Sequence, residues 1–433
     1  MNFKKSYYQT SQRIHSAMYL CTSFISGCYI ILSESVYSLY NSGELSLLKE
    51  KFPKVFQRLS EGKFIIEESV DEYKQIQEER KKEIEDTSVY HIIVNPTLDC
   101  NLSCWYCYEN RVPKSAMDEE TIEAINKHIV HYHKNTPYKI LKLSFFGGEP
   151  FLGFGAIKKI ASFARSFCNA NDVKLLLDFT TNGTLCTKEA LEFLSGYKCQ
   201  FQITLDGDRE QHNKIKHTRC KSFDAFVTTI GNIHKIQECI KDSFVAIRIN
   251  YNKDTLKNFD SILKELLSLD RKRMKVILKK IWQVNSKEIS QKRLAEVMNI
   301  LFENKFIVDY YSQGGVCFAD RKNQVVFNYD GYVFKCTTIS RFDKSNSLGI
   351  LDRTTGEILW DLQKMQYLAE DKSPDECKEC QMYPSCGGPC QKKLSENSCW
   401  SCFLNSANFD LSEFVLTQFR IHLVTQQLYE DAK

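Results

Sequence analysis

Apolar positions change their rhythm along this chain. From residue 91 onward, short apolar runs alternate with longer segments whose apolar residues recur at helical spacing. The runs at 91–95 (HIIVN), 140–146, 174–180, 201–205, 244–250 and 274–284 predict strands. The segments at 118–134, 156–168, 188–195, 223–239, 256–269 and 291–304 predict helices. The first of these carries Asp118, Glu119 and Glu120 in its opening turn, where the helix dipole favours acid. Strands alternating with helices predict an α/β chain with a parallel sheet. Six repeats fit a partial (β/α)6 TIM-like barrel, with chemistry on the loops that follow the strands.

The flanks read differently. Apolar runs at 28–32 and 64–66 surround a helical pattern at 45–59, and a charged stretch follows at 71–86. This predicts a small mixed α/β module with a helix and linker. After 306 the strands shorten, glycines appear and cysteines crowd together, as in a small domain whose core is replaced by metal. A last amphipathic helix at 411–429 starts on an Asp410 cap. The expected domains are 1–86, 87–305, 306–409 and a terminal helix at 410–433.

Composition narrows the function classes. With 58 basic and 54 acidic residues the net charge is +4, which gives no argument for a nucleic-acid partner. The apolar stretch 17–32 is interrupted by Thr22, Ser23, Ser26 and Gly27, too often to span a bilayer, and the residues before it are polar. A cytoplasmic protein that meets no membrane is expected. Many of the 18 cysteines fall in clusters at metal-ligand spacing, as reduced thiolates would.

The first cluster is Cys100-Asn-Leu-Ser-Cys104-Trp-Tyr-Cys107, directly after the first barrel strand. A structural zinc would need a fourth ligand, and the nearest oxygens belong to Asp99 and Glu109. Three thiolates on a four-iron cubane leave one iron open for a ligand. Gly147-Gly148-Glu149-Pro150 follows the second strand, Thr181-Asn182-Gly183 the third and Asp206-Gly207 the fourth. The paired glycines allow a ligand close to the backbone, and the Glu149 carboxylate can accept from an ammonium group.

Over residues 90–304 this ordered set resembles the radical S-adenosylmethionine (SAM) superfamily. The resemblance implies a [4Fe–4S] cluster on Cys100, Cys104 and Cys107, with Tyr106 matching the family's aromatic position. It implies that the open iron chelates the methionine part of SAM. Gly147, Gly148 and Glu149 would hold the SAM amino group, and Thr181 and Asn182 would lie near the ribose. Arg248 and Asn250 would contact the carboxylate or ribose. One electron would then cleave SAM to methionine and a 5′-deoxyadenosyl radical.

The distal cysteines are Cys317, Cys336, Cys377, Cys380, Cys386, Cys390, Cys399 and Cys402. This string resembles the SPASM domain, which implies two auxiliary clusters and three [4Fe–4S] clusters in all. By the resemblance, Cys317, Cys336 and Cys390 hold the first auxiliary cluster, with Asp320, Cys399 or an open iron completing it. Cys377, Cys380 and Cys386 hold the second, with Cys402 favoured over Cys399 as the late ligand. Relatives mostly modify peptides or proteins. The size and position of 1–86 are similar to a leader-recognition module, which implies a precursor peptide as partner and a flavodoxin or ferredoxin as electron donor. The expected function is a thioether or carbon–carbon cross-link in a ribosomally made peptide. An anaerobic sulfatase-maturating enzyme is the alternative, disfavoured because Thr337 follows Cys336 where those enzymes place an aspartate. A non-catalytic zinc adaptor is the alternative of another class. Cys21, Cys28, Cys168, Cys186, Cys199, Cys220 and Cys239 read mostly as small buried hydrophobes.

Overall fold

The computed structural model describes residues 2–218, 223–311, 316–366, 373–395, 402, 404 and 410–430. It divides into two compact units.

The first unit comprises Met1–Glu85, Ser312–Arg321 and Tyr367–Phe419. Strand β1 (Phe3–Lys5) pairs antiparallel with β5 (Ile65–Glu67). Between them, β2 (Gln9–His15), β3 (Met18–Ser23) and β4 (Tyr29–Ser33) form an antiparallel sheet in the order β2-β3-β4. Three helices follow, Glu34–Ser42, Leu45–Lys51 and Pro53–Glu61. The expected single helix at 45–59 is broken at Phe52, since Pro53 lacks the N–H needed to continue it and instead opens the next helix. Leu32, Tyr40, Leu48, Phe56, Leu59 and Phe64 close the core of this module. Helix Glu72–Glu85 follows, and its Ile76 packs with Tyr8 against Tyr383, with Cys377 beside them. Tyr8 and Ile76 thus share a small core with Tyr383 of the distal cysteine segment.

The second unit comprises Asp86–Tyr311, Lys322–Gln366 and Arg420–Lys433. Its six strand–helix repeats run through β6 (Val89–Asn95), β7 (Ile140–Phe145), β8 (Lys174–Thr181), β9 (Cys199–Thr204), β10 (Ser243–Tyr251) and β11 (Met274–Lys280). All pair in parallel and in sequence order. Helices Glu119–Asn135, Phe154–Ala170, Lys188–Leu194, Ala225–Cys239, Phe259–Leu267 and Gln291–Glu303 follow the strands in turn. Asp118, Thr187, Asp224 and Ser290 cap four of them by accepting from an N–H in the first turn. Phe145, Phe179 and Phe201 stack across three strands with centroids 5.3 and 5.1 Å apart. This is an α/β partial barrel.

The boundary expected after residue 305 falls inside the sheet. Strand β12 (Val308–Asp309) extends the β11 edge, while β13 (Gln324–Asn328) pairs in parallel with β6. Antiparallel β14 (Tyr332–Phe334), β15 (Gly349–Leu351) and β16 (Ile358–Trp360) then complete an eleven-stranded sheet among the described residues. The terminal helix is Leu411–Glu430, with the Asp410 carboxylate accepting from Ser412 N–H at 2.9 Å. No described helix is long and apolar enough to cross a membrane.

Candidate active site

The cysteine loop leaves β6 and is shaped by Asp99. Its carboxylate accepts from Cys100 N–H at 2.8 Å, Lys114 N–H at 2.8 Å and Arg111 Nε at 2.9 Å. Burial pushes this carboxyl up, but those hydrogen bonds outweigh it and hold it below the usual range. Asp99 is thereby engaged and not offered as a metal ligand. Cys107 N–H donates to Cys104 O at 3.2 Å, closing the turn between the second and third cysteines.

The loop after β7 is stitched to this one. Gly148 N–H donates to Thr97 O and Glu149 N–H to Asp99 O. A Cβ on Gly147 would stand 2.3 Å from Thr97 O, and one on Gly148 2.3 Å from Asp99 O. Gly147 also has φ +102°, which side-chain-bearing residues rarely adopt. The expectation that the glycines make room for a ligand is thus refined: what lies nearest is the backbone of the cysteine loop. The Glu149 side chain is fully buried, and its two oxygens accept from Thr181 Oγ1, Asn182 N–H and Phe151 N–H at 2.8–3.1 Å. The carboxylate thereby locks the loop after β8 against the loop after β7.

Asn182 then turns toward the cysteines. Its Nδ2 donates to Asn101 Oδ1 at 2.9 Å and approaches Cys100 Sγ at 3.8 Å. A cavity of about 170 Å³ opens over this surface. It is lined by all three cysteines, Tyr106, Gly147, Gly148, Thr181, Asn182, Arg248 and Asn250, together with Glu109, Thr204 and Lys216. Every residue expected near the cofactor reaches this wall except Glu149.

Lys216 is what sequence reasoning missed, together with its pairing to Asp206. Lys216 is 2% exposed, with Nζ 3.5 Å from Asp206 Oδ2 and donating to Thr204 Oγ1. Asp206, fully buried, accepts from Tyr106 OH at 2.6 Å and from Asn250 Nδ2 at 3.0 Å. Arg248 Nε donates to Asn250 Oδ1 at 2.9 Å. Burial pushes all three thiols up, Cys104 to about 12, and the Lys216 charge opposes that at each. Burial also lifts the Glu109 carboxyl to about 8. Tyr108 stacks on Trp282 with centroids 5.5 Å apart at the cavity's rim.

The donor set fits an iron–sulfur cluster better than a single ion. Among the described residues, no three His, Cys, Asp or Glu side chains converge closely enough to hold one metal ion. Thiolates on separate irons of a cubane stand further apart than four ligands around one zinc. In the first unit a second set draws together. Burial pushes Cys377 up to about 11, and Cys386, Cys402 and Cys380 push it the same way. Burial likewise raises Cys386, which also feels Cys402, Cys380 and the Arg80 guanidinium. Arg80 donates to Gly387 O at 2.6 Å and lies over the Tyr383 ring. Cys399 and Cys220 lie outside the described residues. Cys336 follows β14, and its sulfur accepts from Thr338 N–H at 3.2 Å. Of the other cysteines, Cys21, Cys168 and Cys199 are fully buried, whereas Cys28 and Cys239 are exposed.

A parallel partial barrel with three cysteines after its first strand and glycine-bearing loops at the next strand ends defines a class. Residues 94–266 match the family model described as the Radical SAM superfamily; this part of the chain is a radical SAM domain, and the chain is an enzyme. That match sets aside the non-catalytic zinc adaptor. Maturating enzymes are among its relatives. The chain is 24% identical over 333 residues to a cysteine-type anaerobic sulfatase-maturating enzyme of Clostridium perfringens, covering 68% of this chain and 86% of that one. It is 23% identical over 254 residues to the radical SAM cyclopropyl synthase TigE of Paramaledivibacter caminithermalis, covering 54% of this chain and 51% of that one. In fold it is similar to Streptococcus suis SuiB bound to precursor peptide SuiA, with TM-score 0.52, 14% identity, and 92% of this chain and 97% of that one covered.

Proposed function

We propose that the chain modifies a ribosomally made precursor peptide, forming a thioether or carbon–carbon cross-link. The observation that carries the radical chemistry is one cavity walled by Cys100, Cys104, Cys107, Gly148 and the buried cation Lys216. With the cluster and SAM bound, the site supplies a 5′-deoxyadenosyl radical able to take a hydrogen atom from an unactivated carbon. The three thiolates would hold the cluster. Lys216, fixed by Asp206 and Thr204, would offer its charge to the SAM carboxylate, and Gly147, Gly148 and Glu149 would hold its amino group. Thr181 and Asn182 brace the loop beside it. Tyr106, Asn250 and Arg248 form the opposite wall through Asp206.

Cys377, Cys380 and Cys386 would hold the second auxiliary cluster, with Cys402 favoured over Cys399 as the late ligand; the electrostatic coupling of Cys402 to Cys377 and Cys386 supports this. The first auxiliary cluster would use Cys317, Cys336 and Cys390, with Asp320 or Cys399 in reserve. The peptide reading draws on the N-terminal module, whose β2 and β4 are sheet edges onto which a leader could add as a strand. Tyr7, Ile14, Met18 and Ile31 are exposed apolar side chains on or beside those strands. SuiB, similar in fold over most of this chain, is described as bound to its precursor peptide. A flavodoxin or ferredoxin would supply the electron, in a reducing cytoplasm. The relative from Clostridium perfringens keeps sulfatase maturation as the second reading.

The test is anaerobic reconstitution with SAM, a reductant and each short peptide encoded beside the gene. A mass change in one peptide together with 5′-deoxyadenosine supports the proposal. Conversion of a sulfatase cysteine or serine to formylglycine favours the second reading. Retained 5′-deoxyadenosine formation after changing Cys100, Cys104 and Cys107 to alanine defeats both.

A further inference from the structure

The barrel holds two cations, Arg248 and Lys279, that form no ion pair among the described residues. In the parallel register of β10 and β11, Asn250 is paired with Lys279 and Arg248 with Ile277. Neighbours in register share a face of the sheet. Arg248 and Asn250 line the cavity, and the register sets Lys279 beside Asn250 on the same face of the sheet, while the next residue, Lys280, lines the cavity itself. On the far side, Asp309 pairs in register with Ile277, but its carboxylate is engaged by Lys275 Nζ at 2.9 Å. Lys279 has the face of the Tyr311 ring 5.2 Å from its Nζ and, among the described residues, makes no hydrogen bond or ion pair. Arg248 uses only Nε, on Asn250, and keeps the two ends of its guanidinium fork. Burial lowers the Lys279 pKa, and although Asp309 opposes this, Arg248 and Lys275 push it lower still. Like charges brought together away from bulk water are unfavourable unless an anion joins them.

We propose that Arg248 and Lys279 form a receptor for a carboxylate of the substrate, an aspartate or glutamate side chain close to the residue that is modified. A guanidinium fork beside an ammonium suits a carboxylate, which can take two parallel N–H donors and one point charge. The SAM carboxylate has its own cation: Lys216 acts on all three cysteine thiols, whereas the charges acting on Lys279 are Asp309, Arg248 and Lys275. The inference rests on the peptide-modifying reading and deepens it by naming a feature of the substrate.

The experiment uses the anaerobically reconstituted enzyme. SAM binding is measured first by calorimetry. Two pools of end-blocked synthetic peptides, identical except for Asp or Asn at the central position, are then titrated into the SAM-loaded enzyme. The Asp pool is expected to bind about tenfold more tightly, the range of a charge-assisted hydrogen bond, and Lys279→Gln to bring the two within about twofold. Lys279→Arg should keep the preference. Equal binding of the pools by wild type, or an unchanged preference in Lys279→Gln, overturns the proposal. So does a Lys279→Gln variant that loses SAM affinity, because the pair then serves the cofactor. A wild-type enzyme that takes up no SAM at all defeats the broader reading, and this result is in hand before any peptide is added.

Discussion

Lys216 Nζ lies 3.5 Å from Asp206 Oδ2, with both side chains shut off from solvent. Removing one member of such a buried pair leaves the other charge stranded, at a cost of about 3–5 kcal/mol. The Tyr106 and Asn250 donors to Asp206 remain, so Lys216→Met should fall toward the lower end of that range. Combining Lys216→Met with Asp206→Asn should recover much of the lost stability, as followed by anaerobic urea denaturation, but not SAM affinity. SAM binding in both variants should weaken by about tenfold or more, the value of one charge-assisted contact. Wild-type SAM affinity in Lys216→Met would remove this lysine from the cofactor site.

His128 carries a pH dependence with a definite sign. Its Nδ1–H donates to Gly356 O at 2.7 Å, and its Nε2 accepts from Tyr90 OH at 2.6 Å, an arrangement that only the neutral ring satisfies. Burial lowers its pKa to about 4. The unfolded chain takes up a proton near its ordinary value of about 6.5, so the folded state is favoured in full above that pH. Stability is then lost as pH falls toward about 4, by about 1.4 kcal/mol at one unit below 6.5. His212 adds in the same direction, with its pKa lowered to about 3 by burial and then by Lys216. In urea titrations between pH 7 and 5.5, His128→Gln should show a shallower loss than wild type. An identical slope would assign the acid sensitivity elsewhere.

What was legible in advance was whatever is local. The six barrel strands are apolar because both faces of a parallel strand are covered, and Ile92, Val94, Leu141, Leu143 and Val245 are all fully buried. Cys100, Cys104 and Cys107 are close in sequence, so one loop declares them. Lys216 was not legible. It sits among polar residues just after the short helix Arg209–Ile215, and only the fold brings it back beside Thr204 at the end of β9. Glu149 is the opposite case. Its motif is visible, but the sequence does not show that its carboxylate accepts from Thr181 and Asn182 at the end of the next strand. The edge of the barrel was missed because β12 is only two residues long and β13 returns to the opposite edge, beside β6.

The loop contact between Gly148 and Asp99 gives a sharp test of the first cluster's cradle. An alanine methyl would stand 2.3 Å from Asp99 O and 2.7 Å from its carbonyl carbon, both backbone atoms that cannot swing aside. Overpacking of this kind costs about 1–3 kcal/mol, and here the displaced segment carries Cys100. Gly148→Ala should fold with its distal cysteines loaded but lose about four irons per chain, the content of one cubane. Gly155→Ala, where nothing lies within 4 Å of the added carbon, should keep its iron. Full iron in Gly148→Ala would mean that the cysteine loop tolerates the shift.

The distal cysteines can be separated by the same readout. Cys377, Cys380, Cys386 and Cys402 act on one another electrostatically, and Cys377 packs beside the Tyr8, Ile76 and Tyr383 core. A cluster bound there would tie the segment that carries Tyr383 to Cys402, 16 residues beyond Cys386. Cys402→Ala should therefore lose about four irons and also weaken the first unit, because a cross-link restricts the unfolded chain. Cys28→Ala, at an exposed position, should change neither property. The reconstituted variants would be compared by iron content and by limited proteolysis within Met1–Glu85, the segment that shares this core. Unchanged iron in Cys402→Ala would move the late ligand to another residue, and faster proteolysis without iron loss would reduce Cys402 to a packing role.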